Sequence, residues 1–158
     1  MTAPLAATLR LCVRRRRVPN AAGATVQVSL RVPSEVGCIE EVVDLLMRHC
    51  CTAHWVSRRG RFNFRVALAE ALANAIVAGN QEDRTKWVEV QAECCGEQIR
   101  IEVTDQGPGF DPATIEDPLL PEDLDRTNGR GLFLIRQLVD DVRFNALGNS
   151  ICMTLRRH

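Results

Sequence analysis

Between residues 25 and 33 apolar and polar positions alternate without a break. Val26, Val28, Leu30 and Val32 fall on one side, and Gln27, Ser29 and Arg31 on the other. That period of two predicts a half-buried strand, closed by Pro33. The period then changes. Ser34 suits a helix N-cap, and Ile39, Val42, Val43, Leu46 and Met47 recur at helical spacing, which predicts a helix over about 35–50. A second helix is expected over about 61–78, with Gly79-Asn80 as its stop signal. Its apolar stripe is Phe64, Leu68, Leu72 and Ile76.

Alternation returns at 86–94 and again at 98–105, with Gly96 between them, the pattern of a hairpin. A loop-like stretch rich in Gly and Pro, 106–131, follows; its length suits a lid. "LFLIRQLVDD" then reads as a third helix, and 142–147 and 150–156 as a closing pair of strands around Gly148-Asn149. Strands joined by short turns imply a mixed, mostly antiparallel sheet. Three helices on one face of it give an α/β (α+β) two-layer sandwich. Residues 1–23, with Pro4, Pro19 and the arginine run 14–17, show no period and are expected to be a disordered basic tail; 24–158 is expected to be the domain.

Composition narrows the function. Twenty basic and twenty acidic residues cancel, and aromatics make 4% with no tyrosine. That excludes a global field for nucleic acid or anionic membrane and a base-stacking surface. The one N-terminal apolar run is broken by Arg10 and precedes its arginines, the reverse of a secretory signal, so the cytoplasm is expected. Seven cysteines without a CxxC read as reduced thiols. "HCCTAH", 49–54, fits no standard zinc spacing and reads as a helix end.

Three short stretches carry chemistry. In "EALANAIVAGN" (70–80), Glu70 and Asn74 lie one turn apart and away from the apolar stripe. Small residues surround them: Ala67 shares their sector and Ala78 lies beside it. A charged group there needs a partner, or its burial costs several kcal/mol, on the order known for charges. In "DQGPGF" (105–110), Asp105 stands at a strand's tip, and Gly107 and Gly109 remove side chains so that a flat ligand can approach. In "NGRGLFLI" (128–135), a Gly-x-Gly leads into a helix. Its free amides, with the charge of Arg130, suit a phosphate.

In this order and spacing, "ALAEALANAIVAGN", "VTDQGPGFDP" and "GRGLFLIRQLVDDV" resemble the GHKL (histidine-kinase-like) ATPase superfamily over about residues 25–157, and within it the bacterial anti-sigma-factor serine/threonine kinases. The resemblance implies the Bergerat-type ATP-binding fold, with ATP and Mg²⁺ as cofactors. It implies Glu70 as general base, Asn74 as Mg²⁺ ligand, and Asp105 on the adenine amine. Gly107 and Gly109 would shape the adenine pocket, and Gly129, Arg130 and Gly131 would close over the phosphates. The sequence departs from the family at Ala78, where a histidine is common. It departs again at Asn149 and Ser150, which stand where a threonine often helps to hold adenine and which the resemblance implies could hydrogen-bond the nucleotide in its place.

Three functions follow from that resemblance. One is a kinase that phosphorylates an anti-anti-sigma (STAS-type) protein and sequesters a sigma factor, working as a homodimer. The second is an ATP-binding regulatory module without phosphotransfer, against which an intact Glu70 speaks. The third is a detached histidine-kinase catalytic domain, which lacks a helical hairpin to carry a phosphoacceptor histidine.

Overall fold

A computed structural model describes residues 12–20, 23–50, 57–112 and 127–157. Six strands form one sheet: β1 (Cys12–Asn20), β2 (Gly23–Pro33), β3 (Trp87–Cys94), β4 (Gln98–Thr104), β5 (Asp141–Phe144) and β6 (Ser150–Arg156). Their order is β1-β2-β3-β4-β6-β5, and all the pairings are antiparallel. Three helices, α1 (Ile39–Cys50), α2 (Arg58–Ala73) and α3 (Thr127–Leu138), cover one face. The α+β two-layer sandwich read from the sequence is the observed fold.

The core lies between sheet and helices. Val28, Leu30 and Val32 of β2, Val88 and Val90 of β3, Ile99, Ile101 and Val103 of β4, and Met153 of β6 are buried. Against them pack Val42 and Leu46 of α1, Ile135 of α3, and the full predicted stripe of α2 and its continuation: Phe64, Leu68, Leu72 and Ile76. The opposite face of the sheet is polar, with Gln27 hydrogen-bonded to Glu93 and Arg31 paired to Glu89. This separation fixes the register, because a one-residue slip would turn every core residue of a strand to water.

The basic run behaves differently from its expectation. Residues 12–20 are an edge strand, paired to β2 from Cys12 opposite Arg31 to Asn20 opposite Gly23. Arg14, Arg16 and Arg17 are exposed. An edge strand needs backbone partners on one side only, so it does not need the apolar alternation that betrays a central strand. Charge on such an edge discourages pairing with other chains. Residues 1–11 of the expected tail lie outside the described residues, as do 51–56 and 113–126, which hold most of "HCCTAH" and the middle of the expected lid.

Helix α2 starts earlier than its apolar period. Ser57 caps it, its Oγ accepting from the Gly60 N–H at 3.0 Å. It also ends differently, continuing without a break into a π-helical turn, Asn74–Gly79. There the Asn80 N–H reaches back five residues to the Ala75 carbonyl, at 2.9 Å. Single π turns of this kind concentrate at functional sites. Helix α3 likewise begins at Thr127, so Gly129 and Gly131 sit inside its first turns rather than ahead of it.

Candidate functional site

Helix α2 and its π turn form the floor of the site. Glu70 and Asn74 are both half-buried on it. Helix α3 packs against α2, and Gly131 lies close to the pair. A methyl group on Gly131 would stand 3.0 Å from Glu70 Oε2 and 3.1 Å from Asn74 Nδ2. The missing side chain leaves a cradle opposite a carboxylate and a carboxamide. Among the described residues neither Glu70 nor Asn74 has a side-chain hydrogen bond or ion pair. The oxygens of such a pair are of the hard kind that Mg²⁺ takes.

Five residues beyond Asn74, the π turn ends at Gly79, and there the strand-end loop arrives. The Asp105 carboxylate lies so close to Gly79 that any side chain on Gly79 would overlap it. A Cβ on Gly107 would in turn run into the Gly79 carbonyl. A side chain at Gly79 would have to displace the Asp105 carboxylate, whereas one at Gly107 meets backbone that cannot swing aside. Asp105 is held from several directions. Its Oδ1 accepts from the Gly107 N–H at 2.8 Å, its N–H donates to the Asn149 carbonyl at 2.9 Å, and its carbonyl accepts from Asn149 Nδ2 at 3.0 Å. Burial pushes the Asp105 carboxyl above its ordinary pKa, against the opposing pull of the Gly107 N–H and the charge of Lys86. A half-buried carboxylate with one oxygen already occupied is suited to accept one further hydrogen bond from a ligand.

Gly109 takes a left-handed φ of 74° and passes close to the Leu147 carbonyl in the β5–β6 turn. Phe110 then packs edge-on to Phe144, with centroids 5.5 Å apart.

The structure thus brings together Glu70, Asn74 and Gly131 at one place, and Asp105, Gly107, Gly109 and Asn149 at a second, with the π turn joining the two. Asn149 is tied into the chain on both of its amide atoms. Its Nδ2 holds Asp105, and its Oδ1 accepts from Asn145 Nδ2 at 2.6 Å. Ser150 is buried, its Oγ 2.7 Å from that of Thr104. Gly129 and Arg130 lie in the first turn of α3, with Arg130 exposed. Reasoning from sequence missed Gly79 and Asn80 as site residues, reading them as a helix stop. Among the described residues no group of three or more His, Cys, Asp or Glu could hold a metal ion.

Residues 16–155 match the family described as the histidine kinase-like ATPase domain. The chain belongs to that family. The match begins inside β1, so the arginine-rich edge strand lies within its span for most of its length. Curated relatives include the proteins named serine-protein kinase RsbW of Staphylococcus aureus strains bovine RF122 / ET3-1, MRSA252 and JH9. Each is 32% identical over 98 residues, covering 57% of this chain and 62% of the relative. The chain therefore spans about three fifths of the length of those relatives. Among the described residues, no helix is long and apolar enough to cross a membrane.

Proposed function

We propose that this chain is an ATP-dependent protein serine/threonine kinase of the anti-sigma type. It phosphorylates an anti-anti-sigma protein of the STAS kind and sequesters a sigma factor, as a homodimer in the cytoplasm. The observation that carries the reading is the approach of α3 to Glu70 and Asn74 at Gly131, one π turn from the Asp105 carboxylate. Relatives named serine-protein kinase support it.

In this reading Asp105 accepts a hydrogen bond from the adenine amine. Gly107 and Gly109 leave the loop backbone open to the flat base, and Asn149 and Ser150 brace the wall behind it. Gly129, Arg130 and Gly131, in the first turns of α3, close over the phosphates at the positive end of that helix. The Asn74 amide oxygen would hold Mg²⁺, which when bound would supply neutralisation of charge on the transferring group. Glu70 takes the proton from the attacking hydroxyl of the partner's serine or threonine. Phosphorylation adds about −1.5 to −2 charge to that partner and changes its affinity.

The test is incubation with γ-labelled ATP, Mg²⁺ and an anti-anti-sigma protein. Label on a serine or threonine of the partner is expected. ATP binding without label supports instead a regulatory module, and label on a histidine of this chain supports a histidine-kinase catalytic domain. Asn74→Ala should abolish Mg²⁺-dependent ATP binding.

A further inference from the structure

Asn80 is 0% exposed, although it follows the last residue of a helix and carries a primary amide. A buried amide is tolerated where its donors and acceptor are matched, and here they are. Nδ2 donates to Ser34 Oγ at 2.9 Å and to the Trp87 carbonyl at 3.0 Å, and Oδ1 accepts from the Gln106 N–H at 2.7 Å. These partners stand just after β2, at the start of β3, and directly after Asp105. Two further bonds close the ring: Ser34 Oγ donates to the Lys86 carbonyl, and Gln106 Oε1 accepts from the Trp87 N–H, each at 2.8 Å.

The backbone around Asn80 is shaped for this placement. Gly79, its predecessor, is the residue against which the Asp105 carboxylate lies. Gln81 and Glu82, its successors, both adopt left-handed φ values, 53° and 55°. Two such non-glycine residues in a row are uncommon, and persist where surrounding contacts dictate them. Asp105 is therefore gripped on both sides: Asn149 holds its own peptide groups, and Asn80 holds the next N–H along the chain.

We propose that Asn80 is a positioning residue for purine recognition, locking the loop that carries Asp105 against the end of the α2 π turn so that the carboxylate meets a 6-amino group. The proposal rests on the assignment of Asp105 to adenine. Asn80 touches no ligand itself; it acts through Gln106 and Gly79. Losing it leaves the Asp105 carboxylate chemically intact but released on one side. The consequence is loss of discrimination at the purine 6-position, whereas a residue of general structural value would weaken all nucleotides alike.

The experiment compares, on the full chain with Mg²⁺, the affinity for ATP and for purine riboside triphosphate, which carries hydrogen in place of the 6-amino group. The unmodified chain should prefer ATP by about tenfold to hundredfold, the range for one hydrogen bond to a charged group. Asp105→Ala should bring that ratio close to one. Asn80→Leu should also bring it close to one with Asp105 still present, and adding Asp105→Ala to it should change the ratio little further. A preference retained in Asn80→Leu and lost in Asp105→Ala overturns the role of Asn80 alone. Equal binding of both nucleotides by the unmodified chain overturns the adenine assignment itself. Should Asn80→Leu fail to fold, amide exchange on the unmodified chain decides. The Gln106 N–H should exchange as slowly as the amides of β4, and exchange at an exposed-loop rate overturns the proposal.

Discussion

The two ends of the π turn are built on opposite plans. Around Asp105 the backbone and one carboxylate oxygen have fixed partners: Gly107 on the carboxylate, Asn149 on both sides of the peptide, Asn80 on the next N–H. Around Glu70 and Asn74 no such bracing exists among the described residues, and the nearest feature is the bare Gly131. The first end is rigid before anything binds, as recognition of one flat group requires. The second is open, and suits groups that tighten on a nucleotide and on the protein that receives its phosphate. On the proposed reading discrimination and chemistry sit at opposite ends of the π turn, and they should respond separately to substitution.

The largest expected effect is on the chemical end. Glu70→Ala should lower phosphotransfer by about 10²–10⁴-fold, the usual contribution of a general base, while ATP affinity stays within about twofold. Labelled-phosphate transfer and an ATP titration read the two quantities. A matched fall in affinity would show that Glu70 also serves recognition, and the separation would fail.

A glycine pair sharpens the contrast. Gly107→Ala sets a methyl against the Gly79 backbone carbonyl, which cannot swing aside. Both thermal stability and ATP affinity should fall, the latter by about tenfold or more if the charge-assisted bond at Asp105 is lost. Gly131→Ala sets a methyl at 3.0–3.1 Å from the ends of two side chains that can rotate away. It also gains up to about 1 kcal/mol of helix propensity in α3. Its melting temperature should hold or rise while phosphotransfer falls, which paired melts and rate assays would show.

The smallest effect is on pH. Burial raises the Asp105 pKa in the folded chain above its unfolded value. The protonated carboxyl therefore favours folding. That contribution is fully present below the unfolded pKa and is lost as pH rises through the folded one. Asp105→Asn should modestly stabilise the ligand-free chain at neutral pH, with the gain vanishing in acid. ATP affinity of the unmodified chain should weaken as pH falls through the raised pKa, and should be flat in Asp105→Asn over the same interval. Denaturant melts and titrations across pH check both signs.

Much of this contrast was legible in the sequence, and the reasons are local. The stripe Phe64, Leu68, Leu72 and Ile76 repeats at helical period, so the helix and its buried face could be read directly. Glu70 and Asn74 stood out because carboxylate and amide were set among small apolar residues. Asp105 with Gly107 and Gly109 stood out at the end of an alternating strand. Asn80 left no such mark. Two of its partners lie 46 and 26 residues away, so only the folded chain reveals why it is buried. The π turn was equally silent, since a shift from four- to five-residue spacing in the backbone bonds changes no residue type. Gln81 and Glu82 carry none of the glycine or asparagine that usually announces a left-handed φ. β1 was hidden because an arginine-rich edge strand obeys no apolar rhythm.

The most direct test of the central claim is a crystal structure of the full chain with Mg²⁺ and a non-hydrolysable ATP analogue. The account predicts the adenine amine on Asp105, the metal on Asn74 and the terminal phosphate close to Glu70 and the first turns of α3, with the loop at 105–109 unmoved. A nucleotide seated elsewhere on the sandwich, or one that reaches Asp105 with its phosphates turned away from Asn74 and Gly131, would contradict it.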